Sequence, residues 1–174
     1  ANRHPRVKIL QPGTGVGGHC IAVDPWFIVD KTPDQARLIR TAREVNDGKP
    51  GWVLDKVMQA VAQKLADKPG RAEATLNIAV LGLAFKPNID DLRESPALHV
   101  AEHLMRHTKA QLRFVEPNVS QLPRTLEVGK LVDLATALAD SDIVVVLVAH
   151  REFAELRSAL GAGHAVIDAV GVLN

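Results

Sequence analysis

The chain has 174 residues, of which 47% are hydrophobic and 24% are charged, a composition typical of an ordinary globular protein. Its formal net charge of +1 gives no general attraction to nucleic acid or to an acidic membrane surface, and we expect neither partner. The one cysteine, Cys20, excludes an intrachain disulfide and favours a reducing, cytoplasmic setting. No apolar run approaches the roughly 20 residues that a membrane helix needs.

The first part of the chain predicts a loop followed by a helix. Residues 1–33 are rich in glycine and proline and favour an extended, loop-built segment. The pattern becomes helical from Asp34 to Asn46. Its basic residues are expected on one solvated helix face: Arg37, Arg40 and Arg43.

A second helix is predicted after an interruption at Gly48-Lys49-Pro50-Gly51. From Leu54 to Leu65, apolar residues recur at the spacing of one helix face. Lys68-Pro69-Gly70 ends this helix and predicts a boundary, which divides the chain into residues 1–68 and 69–174.

After the boundary, strand and helix patterns alternate. The strand runs are residues 77–82, 112–115, 143–148 and 165–168. Helices are predicted from Ser95-Pro96 to about His107, over 132–139 and over 151–160. This order predicts an α/β domain with a Rossmann-like parallel sheet.

A glycine-rich segment precedes these elements. Gly13, Gly15 and Gly18 formally satisfy G-x-G-x-x-G, but that fingerprint needs a strand before it and a helix after it. Pro12 stands in front, and Pro25 is expected to prevent a helix, so we reject a dinucleotide site here. The glycines favour close approach of backbone amides to an anionic ligand, with a flexible linker as the alternative.

Cys20 follows this glycine-rich turn, beside His19 and four residues before Asp24. A lone cysteine is commonly a small buried hydrophobe, and the three residues also permit a metal-ligand interpretation without a second cluster. As a thiolate, Cys20 could attack an aldehyde, and hydride loss would then leave a thioester. Asp24 could act as a base or orient water.

A second candidate segment runs from Leu81 to Pro96, between the first strand and the next helix. Ligands bind at this edge of open parallel sheets. Phe85 can contact a base or a sugar, while Lys86 and Arg93 can reach phosphates. The alternative is a solvated connection with a surface pair of the Asp91–Arg93 type.

Together the two segments resemble the UDP-glucose/GDP-mannose dehydrogenase family. Its G-x-G-G-x-C-x-x-x-D block appears from Gly15 to Asp24. Its F-K-x-x-x-D-D-x-R-x-S block appears from Phe85 to Ser95. The two blocks stand in the family's order and the resemblance covers most of the chain.

The resemblance implies a dimeric enzyme that oxidises a sugar nucleotide with NAD. It makes Cys20 the thioester-forming nucleophile and Asp24 its partner. It assigns the following residues to the UDP-sugar substrate: Gln11, Gly13, Gly15, Gly17, Phe85 and Lys86. Arg93 becomes a contact to NAD, and Arg3 or Arg6 a contact to the neighbouring subunit's substrate.

Two departures from the family pattern affect these expectations. The family's N-terminal NAD domain precedes the part that is matched, so we expect the 174-residue chain alone not to turn over substrate. Family members often carry a basic residue where this chain has Val170. The competing interpretations are a non-catalytic nucleotide-binding module and, less favoured with one thiol, a redox sensor.

Overall fold

The computed structural model describes residues 3–7, 9 and 11–173. After the glycine-rich loop come two helices, α1 (Asp24–Lys31) and α2 (Arg37–Ala66). The remaining elements are β1 (Asn77–Leu81), α3 (Pro96–His107), β2 (Gln111–Val115), β3 (Lys130–Leu131), α4 (Leu134–Ala139), β4 (Ile143–Val146), α5 (Leu156–Ala159) and β5 (Ala165–Asp168). Short 3₁₀ turns lie at Glu73–Thr75, Arg124–Leu126 and Arg151–Phe153.

The five strands form one parallel sheet in the order β3-β2-β1-β4-β5. The chain builds one side of the sheet from β1 to β3 and then returns to place β4 beside β1. This reversal leaves a crevice at the carboxyl ends of β1 and β4, where open α/β sheets bind ligands. The predicted Rossmann-like fold is confirmed.

Alternate residues of each central strand enter opposite cores, as the twofold period of a strand requires. Ile78 and Val80 of β1 pack with α2 and α3, whereas Ala79 and Leu81 pack with α4 and α5. The predicted N-cap of α3 is also present, since the Ser95 hydroxyl accepts from the Leu98 amide at 3.2 Å.

The predicted interruption at Gly48-Lys49-Pro50-Gly51 is wrong, because α2 continues through it as one helix of 30 residues. Pro50 cannot donate to the carbonyl one turn earlier, which costs about 3 kcal/mol inside a helix. Burial of one continuous face offsets this cost: Arg43, Val53, Val57 and Val61.

Three smaller predictions are corrected. Pro25 does not prevent a helix but lies in the first turn of α1, where its missing amide is no loss. Residues 151–160 form a 3₁₀ turn and a short helix, and residues 132–139 supply a helix only from Leu134. The two-residue strand β3 was not predicted, because a pairing this short leaves no periodic pattern.

The expected solvated face of Arg37, Arg40 and Arg43 is also wrong in part. Arg43 is only 8% exposed. Its guanidinium donates to Asp47 Oδ1 at 2.6 Å, one helix turn away.

No helix in the described ranges is long and apolar enough to cross a bilayer.

Candidate active site

The glycine-rich loop is fastened across the carboxyl edge of the sheet. The Thr14 hydroxyl, itself buried, donates to the Leu147 carbonyl at 2.7 Å, just beyond β4. The backbone of Val16 pairs with the side chain of Asn46 on α2, whose Oδ1 accepts from the Val16 amide at 2.8 Å. The loop is therefore an ordered part of the fold, and the flexible-linker alternative is set aside.

The two candidate segments lie against each other at this edge. The Gly18 amide donates to the Glu94 carbonyl at 3.3 Å. A Cβ added at Gly17 would lie 2.2 Å from the Glu94 carbonyl oxygen, and one at Gly18 would lie 3.0 Å from the Phe85 ring. Only glycine permits this approach, so the glycine pattern serves contact between the loop and the second segment.

Cys20 is exposed, which contradicts a buried structural thiol. Its carbonyl accepts from the amides of Val23 at 3.0 Å and Asp24 at 2.8 Å, forming a turn that leads directly into α1. Asp24 is exposed at the first residue of that helix. The thiol and the carboxylate therefore lie on one tight turn at the solvent surface of the site.

Phe85 and Lys86 follow β1 on the facing segment. Phe85 is half-buried against Gly18, and the Lys86 ammonium is exposed, 5.5 Å from the centre of the Phe85 ring. An apolar ring beside an exposed cation suits a ligand that combines a flat or sugar surface with phosphate.

Arg93 is paired within its own segment. Its guanidinium binds both carboxylate oxygens of Asp91, with Nη2 2.6 Å from Oδ2. These hydrogen bonds lower the pKa of Asp91 to about 2, and the charge of His19 contributes in the same direction. The observed geometry is thus the surface pair of Asp91 and Arg93 that was the alternative to a phosphate contact. The Arg93 side chain is still 68% exposed and therefore accessible to a ligand.

A polar cluster lies beneath the second segment: Glu116, Asn118 and His150, hereafter the Glu116 cluster. Glu116 and His150 are buried and Asn118 is half-buried. Glu116 directly follows β2, and its Oε2 accepts from the amides of Leu83 at 2.7 Å and Ala84 at 3.0 Å. Burial raises the pKa of Glu116, but hydrogen bonds from His150 and the Leu83 amide outweigh it and lower the pKa to about 2. The carboxylate therefore accepts the hydrogens of two backbone amides that follow β1, so these amides already have a partner within the chain.

A cavity of about 370 Å³ opens between the glycine-rich loop, α1, α2 and the start of α3. Val16, Trp26, Arg43, Glu94 and His99 are among its lining residues. The buried Nε of Arg43 has no hydrogen-bond partner among the described residues. Cys20, Phe85 and Lys86 do not line this cavity, so it is distinct from their surface.

The other predicted residues lie along the start of the loop. Gln11 is exposed, while Gly13 and Gly15 are half-buried. A Cβ at Gly13 would lie 3.5 Å from Val170. Val170, which stands where family members often carry a basic residue, therefore lies beside the predicted substrate loop. Arg3 and Arg6 are exposed, and their predicted role across a subunit interface stays a prediction.

No group of three or more His, Cys, Asp or Glu side chains placed to hold a metal ion occurs in residues 3–7, 9 and 11–173. None of residues 3–7, 9, 11 and 12, the described residues that precede Gly13, lies in a strand, so the structure shows no leading strand for the dinucleotide fingerprint among them.

Sequence reasoning missed Thr14, Asn46 and the Glu116 cluster. Glu116 comes directly after one predicted strand run and His150 two residues after another, and the carboxyl ends of parallel strands meet at one edge. Their position after the strands was therefore the signal by which the sequence could have indicated that the two side chains meet. Asn46 carried no signal, because its role depends on a contact 30 residues away along the chain.

The sequence matches two family models. Residues 79–174 match the UDP binding domain of the UDP-glucose/GDP-mannose dehydrogenase family. Residues 1–48 match the central domain of the same family.

Relatives and solved structures agree with these matches. The chain is 57% identical to a UDP-N-acetyl-D-mannosamine dehydrogenase of Salmonella typhi, over 99% of this chain and 41% of that protein. It is 51% identical to an NDP-N-acetyl-D-galactosaminuronic acid dehydrogenase of Ralstonia nicotianae, over 99% of this chain and 38% of the relative. A UDP-D-ManNAc dehydrogenase from Pyrococcus horikoshii superposes with a TM-score of 0.78 at 32% identity, over 100% of this chain and 39% of that one. The chain spans about two fifths of the length of these proteins.

Proposed function

Because the chain belongs to the UDP-glucose/GDP-mannose dehydrogenase family, we propose that it forms the thiol-bearing and UDP-sugar-binding part of an NAD-dependent nucleotide-sugar 6-dehydrogenase. The observation that carries the proposal is the contact of the Cys20 loop with the second segment, through Gly17 at Glu94 and through Gly18 at Phe85. This contact supports a nucleophile beside a nucleotide-binding surface, because the two segments meet at one edge of the sheet. The proposed substrate is UDP-N-acetyl-D-mannosamine and the product its 6-carboxylate, as the names of similar proteins suggest.

Cys20 and Asp24 perform the covalent chemistry. The first oxidation takes the sugar C6 alcohol to an aldehyde, with loss of a hydride and a proton. The Cys20 thiolate then forms a C–S bond to the aldehyde carbon while the carbonyl oxygen takes up a proton, giving a thiohemiacetal. Loss of a second hydride together with that proton leaves a thioester. Water oriented by Asp24 then adds to the thioester carbon and breaks the C–S bond, which releases the carboxylate, the thiolate and two protons.

The nucleotide half of the substrate binds on the second segment. Phe85 presents an apolar ring, and the Lys86 ammonium neutralises a phosphate oxygen. The start of the loop, including Gln11, Gly13 and Gly15, follows the sugar and phosphates with its backbone. The exposed Lys86 and half-buried Phe85 support this assignment, since both remain accessible to a ligand.

NAD, when bound, supplies the hydride acceptor for both oxidations. The amides after β1, where a Rossmann fold commonly holds a pyrophosphate, already donate to Glu116. NAD is therefore held by residues outside this sheet, with Arg93 as this chain's contact to a phosphate. Arg93 fits that role by leaving Asp91, because its guanidinium is exposed at the site.

The enzyme is proposed to be a cytoplasmic homodimer. On α2, Leu38, Val45 and Trp52 are exposed and recur every seven residues, which places them on one helix stripe. Such a stripe favours packing against another helix, and a second copy of the enzyme is the proposed occupant.

Isothermal titration of the chain with UDP and GDP tests the nucleotide assignment. The proposal predicts binding of UDP in clear preference to GDP, and weaker UDP binding by Lys86→Ala. Lys109→Ala, an exposed lysine preceding β2 at the opposite edge of the sheet, is the matched control and keeps the affinity of the unmodified chain. Binding of GDP alone would overturn the substrate assignment, and binding of neither nucleotide would overturn the nucleotide site.

A further inference from the structure

The connection between β1 and α3 is held at two separate points by buried polar side chains. At its start, Glu116 Oε2 accepts the amide hydrogens of Leu83 and Ala84. At its middle, His150 Nδ1 accepts the Asn88 amide hydrogen at 2.9 Å. The side chains of Glu116 and His150 are both 0% exposed. Phe85 and Lys86 lie between these two points.

The hydrogen bonds around His150 indicate which of its ring nitrogens carries the hydrogen. Nδ1 faces two donors, the Asn88 amide at 2.9 Å and the Asn118 Nδ2 at 3.2 Å, so it carries no hydrogen. The hydrogen therefore resides on Nε2, which donates to Glu116 Oε2 at 3.0 Å. A ring with its hydrogen on Nε2, placed between a carboxylate and a loop amide, gives every polar atom on this path a partner.

The held loop has a conformation that needs such support. Asn88 has φ of 61°, in the left-handed region that few side chains adopt, and its Oδ1 accepts from the Arg151 amide at 2.9 Å. Asn88 and Lys86 are exposed, so no packing on the solvent side of the loop holds them in place. The hydrogen bonds made by Glu116 and His150 on the buried side of the loop connect the ends of β1, β2 and β4 in one network.

We propose that Glu116 and His150 are positioning residues that hold the Phe85–Lys86 segment in its nucleotide-binding conformation. The inference rests on the proposed UDP site. It assigns to His150 a double task, in which Nδ1 fixes the loop and Nε2 fixes the carboxylate. Neither residue contacts the ligand; both act on it through the backbone of Leu83, Ala84 and Asn88.

Two substitutions of His150 separate these tasks. In His150→Asn the short amide oxygen can replace Nδ1 as the acceptor for Asn88, while the donor to Glu116 is lost. In His150→Gln the longer amide can replace Nε2 as the donor, while the acceptor for Asn88 is lost. His164→Gln is the control, because His164 also bonds through both ring nitrogens but precedes β5 at the opposite edge of the sheet.

Isothermal titration with UDP and thermal unfolding are measured on all four chains. The inference predicts UDP binding about tenfold weaker in His150→Gln, the effect of losing one buried hydrogen bond, with binding close to wild type in His150→Asn and in His164→Gln. Hydrogen exchange at the Asn88 amide should accelerate in His150→Gln only.

The possible outcomes separate this inference from the proposed function. A wild-type chain that binds no UDP contradicts the proposed function. A wild-type chain that binds UDP, with equal affinity in both His150 variants or with affinity that simply follows thermal stability, overturns the positioning role.

Discussion

At the scale of single residues, Glu116 is a buried charge that depends on hydrogen bonds from several parts of the chain. The Glu116 carboxylate is surrounded by donors from the β1 connection, from Asn118 and from His150. Because these donors stabilise the ionised form, its pKa falls from the usual 4.5 to about 2. An ionised buried carboxylate is tolerated only while its donors remain in place, which links folding to the order of the site.

Glu116→Gln should destabilise the chain by about 1–3 kcal/mol at pH 7, since the amide leaves donors of the cluster without an acceptor. A group with a lowered folded-state pKa stabilises above its unfolded pKa and loses that effect as the pH falls through the folded value. The difference from wild type should therefore shrink as the pH falls from about 4.5 toward 2. Urea unfolding at pH 7 and pH 3 measures it, with the exposed Glu127→Gln as control; a difference independent of pH would contradict the assignment.

Gly17→Ala tests the contact between the two candidate segments. The added Cβ would meet the Glu94 carbonyl oxygen at 2.2 Å and Pro96 Cδ at 2.5 Å. Overpacking of this kind costs about 1–3 kcal/mol and separates the loop from the second segment. Thermal unfolding should show the loss, whereas Gly163→Ala, which has nothing within 4 Å, should unfold like wild type. Equal midpoints for both variants would mean that the segments do not meet.

Residue types and spacing predicted the candidate site in part. Cys20, Phe85 and Lys86 were identifiable because each belongs to a contiguous pattern with a chemical meaning. Contacts between distant segments, such as Thr14 with Leu147, were not identifiable, because no local pattern records which strand end a loop residue will reach.

At the scale of elements, α2 is the clearest departure from local expectation. Gly48, Pro50 and Gly51 are helix-breaking residues by intrinsic propensity. They lie in a helix nonetheless, since Val53, Val57 and Val61 on the same helix bury completely or nearly so in the sheet's core. Tertiary packing therefore decides the structure here. The central strands β1 and β4 were predicted because burial and β-propensity agree over their apolar residues, 78–81 and 143–146.

Gly51→Ala should stabilise the chain by about 0.5–1 kcal/mol, because alanine loses less conformational freedom in a helix than glycine. A Cβ at this position meets nothing within 4 Å, so no clash opposes the gain. Thermal unfolding measures the shift against Gly163→Ala, a turn position with equal space. No gain, or a loss, would indicate that α2 is interrupted at this point.

At the scale of the whole molecule, the sheet edge and α2 point to two different partners. The edge leaves Cys20 and Lys86 exposed where the proposed ligand binds, whereas the stripe of Leu38, Val45 and Trp52 presents apolar surface away from the core. Exposed apolar stripes on helices are typical of subunit interfaces.

Val45→Glu should weaken self-association, because a desolvated carboxylate at the centre of the stripe opposes helix packing. Sedimentation velocity over a range of concentrations measures the change. Ala62→Glu, an exposed position on the same helix outside the stripe, should associate like wild type. If both variants keep the mass of the wild-type species, α2 does not form the interface.

The central claim is that the sugar of a bound nucleotide lies at the Cys20 thiol. The most direct test is the rate of Cys20 alkylation by iodoacetamide, followed by mass spectrometry, with UDP-N-acetyl-D-mannosamine, with UDP or with no ligand. Cys20 is exposed and is the one thiol in the chain, so a single product reports the site. The account predicts that the sugar nucleotide slows alkylation and that UDP at equal occupancy slows it less. Equal rates in all three conditions, with binding established by titration, would contradict it.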